Sequence, residues 1–133
     1  MRDIKFRAWN IKLKQMGKVF QIDFEAHGVW VTFFNKELDA NEGDFWEDKD
    51  IILMQYIGRK DKKEVEIYEG DDVDVKMSFE GGTLPHRGYI VYDKEFGAFG
   101  TKNDAGITLL HNHCLHTLEV IGNVHDSPEL LKD

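Results

Sequence analysis

The amino-acid sequence predicts a mainly β protein with one or two short helical turns. Short segments alternate apolar and polar residues with the two-residue period of a half-buried strand, as in IKFRAW at 4–9. Other segments, such as VWVTFF at 29–34, are rich in β-branched and aromatic residues. Glycine, asparagine and aspartate separate these segments at short intervals. We therefore expect many short strands joined by turns.

The first fifty residues predict an N-terminal β segment followed by an acidic connection. The strand at 4–9 places Ile4, Phe6 and Ala8 on one face, and Trp9 is expected to pack at the rim. A second strand follows around Gly17, and a third covers 29–34. Residues 35–50 are acidic, are interrupted by Gly43, and contain only two bulky anchors. They are interpreted as an exposed connection anchored by Phe45 and Trp46.

The remainder of the chain predicts a second series of strands. A loop is expected where Gly81, Gly82 and Pro85 occur between two of them. Near the end of the chain, Ser127 and Pro128 have the N-cap and first-position preferences of a final helical turn. The predicted strands cover 52–58, 65–68, 88–93, 96–101, 107–110 and 118–124.

Length and composition bound the organisation of the chain. Its 133 residues, 41% of them hydrophobic, suffice for one independently folded domain, so residues 1–133 are predicted to be a single domain. Within it, 1–50 and 51–133 are expected to be distinct segments. The lone Cys114 cannot form an internal disulfide, and the N-terminal residues have no signal-peptide or membrane-span pattern. A cytoplasmic protein is expected.

The net charge restricts the classes of partner. Seventeen basic and 25 acidic residues give a formal charge of −8. This charge disfavours binding to nucleic acid phosphates and to anionic lipid surfaces, and it favours binding to basic partners. Aromatic and basic residues do alternate in KFRAW and PHRGYIVY, a mixture typical of single-strand binding. Core packing explains that mixture better at this net charge, and nucleic-acid binding stays open as an alternative.

The stretch EIYEGDDVDV at 66–75 concentrates carboxylates around a glycine. Gly70 and Asp71 are interpreted as a turn, because glycine adopts positive φ and aspartate accepts local N–H bonds. Val73 and Val75 should enter the core, whereas Asp72 and Asp74 should face water. A cation held by these two aspartates is the less favoured alternative, since the spacing of an EF-hand loop is absent.

The stretch HNHCLH at 111–116 raises a second question of metal binding. His111, His113 and His116, with Cys114 beside them and Asp126 further on, include good zinc ligands. The cluster lacks the second knuckle of a structural zinc site, so no metal is expected. Cys114 lacks the context of a nucleophile. Neither GxGxxG nor a phosphate-binding loop occurs, so no cofactor is expected either.

Three blocks of the sequence resemble the YopX family of phage and prophage proteins. They are MRDIKFRAWN at the start, LMQYIGRKDKKEVEIYEGDDV at 53–73 and EVIGNVHDSPELL at 119–131, and together they span almost the whole chain in order. The resemblance implies a small, mostly β protein with an SH3-like barrel region, here from about Ile51 to Val124, encoded by mobile elements. It implies no catalytic residues. The Gly-Asp turn followed by strands is compatible with such a barrel.

Three functional hypotheses follow. The first is a non-enzymatic module in the host cytosol that binds a host or phage protein through a sheet edge and the 35–50 segment. Its candidate surface comprises Phe45, Trp46 and Trp9. The second is a metal-dependent hydrolase or nuclease using the histidine-rich segment 111–126. The third is a nucleic-acid-binding module. Edge strands also leave a homo-oligomer as an open alternative.

Overall fold

The computed structural model describes residues 3–79, 82–110, 118–123 and 125 of the chain. Clustering of contacts divides the chain into two compact units, Met1–Tyr56 and Ile57–Asp133. The described residues form eleven β-strands and one short 3₁₀ turn. The predicted mainly β class is confirmed. The final helical turn predicted at Ser127 and Pro128 lies outside the described residues.

The first unit is an antiparallel sheet in which most strands that are consecutive in sequence are adjacent in the sheet. The strand order is β4-β3-β2-β1-β5, so β1 lies between β2 and β5. A 3₁₀ turn at Asp48–Asp50 leads from β4 into β5. The strands are β1 (Phe6–Asn10), β2 (Gln15–Asp23), β3 (Gly28–Asn35), β4 (Ala40–Glu47) and β5 (Ile51–Lys60), the last of which continues beyond this unit.

The three hairpin turns of this unit share one local design. Each begins after an Asn or Asp, namely Asn10, Asp23 and Asn35. The side-chain oxygen of that residue accepts hydrogen bonds from the backbone amides two and three residues later. Each ends on a residue with positive φ, namely Lys14, His27 and Asp39. Short polar side chains can replace backbone partners in a turn, so the sequence itself sets where these strands reverse.

The core of the first unit is built around one tryptophan. Trp46 is 3% exposed and packs with Ala8, Val29 and Val31. Gly17, which lies opposite Ala8 in the β1–β2 register, leaves room for the indole. A Cβ at Gly17 would lie 2.7 Å from the Trp46 ring, closer than atoms can approach. Two small residues thus provide the slot that the largest side chain fills.

The interpretation of residues 35–50 as a connection was wrong. Residues 40–47 form β4, which pairs with all eight residues of β3 without a bulge. Acidic residues and Gly43 suggested a loop, but an edge strand exposes much of its surface to water and tolerates charge there. Trp46 is correspondingly a core residue and is removed from the candidate surface.

The second unit contains a five-stranded antiparallel sheet with the order β10-β9-β8-β7-β11. Its core comprises Ile67, Val73, Val75, Ile90, Leu110 and Leu118. The short strand β6 pairs with β5. The strands are β6 (Glu66–Tyr68), β7 (Asp71–Phe79), β8 (Gly82–Asp93), β9 (Ala98–Asn103), β10 (Gly106–Leu109) and β11 (Glu119–Asn123).

Two expectations are compared with the structure here: the loop around Gly82 and Pro85, and the SH3-like barrel from about Ile51 to Val124. The loop expected around Gly82 and Pro85 is largely replaced by a long hairpin, since β7 and β8 pair as far as Phe79 and Gly82. Proline is tolerated at 85 because β8 has one partner strand there: β7 pairs with it, whereas β9 pairs only with residues 89–93. The described strands form two antiparallel sheets with no closed barrel among them.

Candidate functional site

The EGDDV stretch forms the predicted turn. Gly70 has φ +84° and donates its N–H to the carbonyl of Ile90 at 2.8 Å. The Asp71 carboxylate accepts the N–H of Tyr68 at 2.8 Å, which closes the turn. Val73 and Val75 are buried in the core, as predicted. These contacts give the stretch a structural role.

Asp72 does not face water, contrary to prediction. Its side chain is fully buried, and Arg87 on β8 holds it with Nη2–Oδ2 at 3.1 Å and Nε–Oδ1 at 3.5 Å. Burial raises the pKa of Asp72; Arg87 opposes that rise, and the nearby Asp74 adds to it. Asp74 is exposed as predicted. The positive charge that accompanies Asp72 in the structure is therefore the Arg87 guanidinium.

Asp61 is a buried carboxylate that the sequence did not single out. Its Oδ1 accepts the N–H groups of Lys63 and Val65 within the turn after β5, and its Oδ2 accepts the N–H of Val120 on β11 at 3.0 Å. Burial disfavours the charged form, but the three backbone donors outweigh it and hold the pKa of Asp61 below its ordinary value. Asp61 therefore ties a turn to a strand 59 residues away in sequence.

The histidine-rich segment falls outside the described residues. His111, His113, Cys114, His116 and Asp126 all belong to positions that the structure does not describe. In the described part of the chain, no group of three or more His, Cys, Asp or Glu side chains could hold a metal ion. No helix there is long and apolar enough to cross a membrane.

The first unit presents a long sheet edge. β4 ends the sheet, and no described strand pairs with its outer side. The N–H of Asp48 bonds to the carbonyl of His27, which sets the hydrogen-bonding alternation along the β3–β4 pair. By that alternation, the backbone groups of Asn41, Gly43 and Phe45 point away from β3. β4 contains no proline or lysine and has no bulge, whereas its carboxylates Glu42, Asp44 and Glu47 are charged groups of the kind that discourage edge pairing.

One outward amide of β4 is already covered by its own chain. The N–H of Phe45 donates to Asp44 Oδ1 at 2.8 Å, and Asp44 Oδ2 accepts the indole N–H of Trp46 at 3.2 Å. Asp44 is therefore held between an edge amide and a core side chain.

The outer face of the β3–β4 pair carries exposed aromatic side chains. Trp30 is 41% exposed and packs against Phe45, with ring centroids 5.1 Å apart. Phe34, 46% exposed, follows on the same face of β3. Gly43 lies opposite Thr32, between these aromatic groups, and a Cβ there would meet nothing closer than 3.8 Å. The glycine leaves a notch beside the Trp30–Phe45 pair.

The opposite face of β4 borders a groove. Its volume is about 440 Å³, and it is open to solvent. The lining combines two apolar side chains with three carboxylates, one lysine and two amides, so it carries a net negative charge. The lining residues are Leu13, Gln15, Phe33, Asn35, Lys36, Glu37, Glu42 and Asp44. Sequence reasoning missed this groove because its members come from three strands and two turns.

The structure does not bring the three residues of the predicted surface, Phe45, Trp46 and Trp9, together at one place. Phe45 lies at the β4 edge, half-buried against Trp30. Trp9 on β1 is half-buried and lies three strands away from β4 in the sheet order. Trp46 lies in the core. The surface that the structure presents is the β4 edge with Trp30 and the acidic groove beside it.

Comparison with known proteins identifies the family of the chain. A solved structure, the crystal structure of protein EF1440 from Enterococcus faecalis, is similar in fold with a TM-score of 0.63. It is 24% identical in sequence, and the alignment covers 99% of this chain and 100% of that one. No curated protein matches the chain. The family model described as YopX protein matches residues 5–132. Since the match spans nearly all 133 residues, the chain belongs to the YopX family.

Proposed function

We propose that this chain is a non-enzymatic accessory protein of a phage or prophage, which binds a host or phage protein in the host cytosol through the β4 edge. The observation that carries the proposal is the eight-residue β4 strand, which ends its sheet without proline, lysine or a bulge. Extended segments of other proteins add to such edges through backbone hydrogen bonds. The exposed Trp30, packed against the half-buried Phe45, supplies the kind of aromatic contact on which interfaces depend.

The roles of the buried carboxylates support a binding role over catalysis. Asp71 and Asp61 accept backbone N–H groups, and Asp72 is paired with Arg87, so each has a structural partner. A general acid or base needs a carboxyl group within reach of a substrate. The SH3-like barrel that the family resemblance implies would likewise be a scaffold for binding a protein segment. The metal-dependent and nucleic-acid-binding hypotheses stay predictions, with no observation that favours them.

The test uses a matched pair of substitutions at Gly43. Gly43→Pro removes an N–H that points away from β3, so the β3–β4 pairing should survive while strand addition is blocked. Gly43→Ala keeps the N–H, and its Cβ enters open space. Wild type, Gly43→Pro and Gly43→Ala serve as baits in cells that carry the encoding element. Each captured protein is then purified and titrated against all three by calorimetry.

The proposal predicts one partner that binds wild type and Gly43→Ala with similar affinity and loses at least about tenfold in affinity for Gly43→Pro. Circular dichroism and the melting temperature should show that all three are folded. A partner that binds Gly43→Pro as tightly as wild type would place the binding surface elsewhere. Capture of no specific protein by wild type would contradict the proposed function as a whole.

A further inference from the structure

We infer that the occupant of the β4 edge is an extended segment in which basic residues alternate with apolar ones. The inference rests on the proposed function and names the chemistry of the partner. Three features of the first unit define this chemistry: the outward backbone groups of β4, the acidic groove on one of its faces, and the aromatic notch on the other.

The two faces of β4 impose the alternation. Glu42 and Asp44 lie on the face that borders the groove, opposite Phe33 and Val31 of β3. Phe45 lies on the other face, beside Trp30 and the Gly43 notch. Side chains of a strand added to β4 would point alternately to these two faces. One set would therefore meet carboxylates, and the other would meet aromatic rings.

The groove fits long cationic side chains. Three carboxylates and one lysine leave it with a net charge of −2, and Phe33 and Leu13 provide an apolar surface beside them. Lysine and arginine bury their aliphatic stems on apolar surface while the charged group reaches acceptors. The surrounding segment reinforces the preference, because residues 35–50 contain seven carboxylates and two lysines. Opposite charge also speeds encounter with a basic partner.

Charge also argues against a second copy of this chain. Two β4 strands paired edge to edge would bring Glu42, Asp44 and Glu47 of each copy close to those of the other. Like charges directly opposite one another destabilise a strand pair. A nucleic acid strand would meet the same repulsion through its phosphates. A basic protein segment is the occupant for which backbone pairing and charge both favour binding.

Binding would exchange the partner of one amide. The N–H of Phe45, now bonded to Asp44 Oδ1, would donate to a carbonyl of the added strand. The carboxylate so released would be available to a cationic side chain of the same strand, while Oδ2 keeps the Trp46 indole. Asp44 would therefore block the edge in the free protein and contribute to recognition in the complex.

Titration with designed peptides tests the inference. The probes are three fluorescently labelled octapeptides: alternating Lys and Val, four Lys followed by four Val, and alternating Glu and Val. Fluorescence anisotropy is measured with wild type, with Glu42→Lys, and with Glu95→Lys, which changes the charge by the same amount on an exposed turn of the other unit. Analytical ultracentrifugation of wild type and of Gly43→Pro, each without peptide, reports self-association.

The alternating Lys and Val peptide should bind wild type and Glu95→Lys, and bind Glu42→Lys roughly tenfold more weakly. The block peptide, which has the same charge, should bind roughly tenfold more weakly than the alternating one. Equal binding of both would show that charge alone acts, and would overturn the inference. Binding of the Glu peptide, absence of binding by every peptide, or dimerisation of the free protein that Gly43→Pro abolishes would also overturn it.

These outcomes separate the inference from the proposed function. If a captured protein depends on the β4 edge but the alternating basic peptide does not bind, the proposed function stands and the chemistry of the occupant is wrong. If Gly43→Pro retains every captured partner while the peptide still binds wild type, the peptide reports a surface that the natural partner does not use. That result would contradict the proposed function.

Discussion

Arg87 reaches the fully buried carboxylate of Asp72 with its Nη2 at 3.1 Å from Oδ2, across the β7–β8 pair. The arginine itself is partly exposed, whereas the aspartate has no solvent contact. Burial is the largest influence on Asp72 and raises its pKa. The two partners are therefore unequal, because the arginine offsets the cost of burying the charge of Asp72.

Arg87→Met should destabilise the protein by about 3 kcal/mol or more, because it leaves Asp72 buried without its partner. Adding Asp72→Asn should recover much of that loss, since the buried charge is then gone. Urea denaturation of the two single variants and the double variant measures both effects. Arg59→Met, at an exposed position, is the matched control and should change stability by no more than about 0.5 kcal/mol. Additive effects of the two substitutions would contradict this coupling.

Asp72→Asn alone should leave stability at pH 7 no lower than that of wild type. A carboxyl group whose pKa is raised on folding favours the folded state only while it is protonated. Its contribution is therefore present below the ordinary value of 3.8 and is lost as the pH rises through the raised value. The stability of wild type relative to Asp72→Asn should fall across that window. A loss of more than about 1 kcal/mol at pH 7 in Asp72→Asn would show that the charge is needed.

Asp61→Asn, unlike Asp72→Asn, should lower the stability of the protein at pH 7. An asparagine amide cannot accept both the turn amides and the N–H of Val120, so one buried donor loses its acceptor, at a cost of about 2 kcal/mol. The lowered pKa of Asp61 means that its contribution is present above 3.8 and is lost as the pH falls through the lower folded value. Urea denaturation between acidic and neutral pH measures it. Asp104→Asn, at an exposed turn, should have no such effect.

Gly17→Ala should destabilise the protein by about 1–3 kcal/mol, because the added methyl group would overlap the Trp46 ring. Gly43→Ala is the matched control on the edge strand β4, where a Cβ enters open space. Thermal denaturation compares the two. Combining Gly17→Ala with Trp46→Phe should restore part of the loss, since a smaller ring vacates the overlap. No difference between Gly17→Ala and Gly43→Ala would contradict the packing around Trp46.

Gly70→Val should destabilise the protein more than Gly70→Asn does. The backbone of Gly70 has φ +84°, a conformation that asparagine tolerates and a β-branched residue does not. The expected difference is about 1 kcal/mol or more. Thermal denaturation of both variants measures it. Equal stability of the two would mean that the turn adapts and does not define the fold.

The sequence predicts most strands here because their period is local. Alternation in IKFRAW placed Ala8 on the core side of its strand, and the valines at 73 and 75 identified a second core face, without knowledge of any partner strand. β4 was missed because edge strands tolerate glycine and charge, so it lacks that pattern. Asp72 was misplaced because its partner Arg87 lies 15 residues away, and only the pairing of β7 with β8 brings them together.

The candidate site was predicted only in outline. The acidic character of 35–50 and the aromatic side chain of Phe45 within it are visible in the sequence. The groove is not, because Leu13, Phe33 and Glu42 come from separate parts of the chain that only the sheet order assembles. In the sequence, Trp30 served only as one of the aromatic residues that predict a strand at 29–34. Its exposure depends on which face of the sheet the core covers.

Hydrogen exchange at the β4 edge, with and without the purified partner protein, tests the central claim most directly. If the partner adds a strand to β4, the amides of Asn41, Gly43 and Glu47 should exchange much more slowly in the complex. The amide of Trp46, which faces β3, should already be protected in the free protein. Unchanged exchange at Asn41, Gly43 and Glu47 in a saturated complex would contradict the claim that the β4 edge is the binding site.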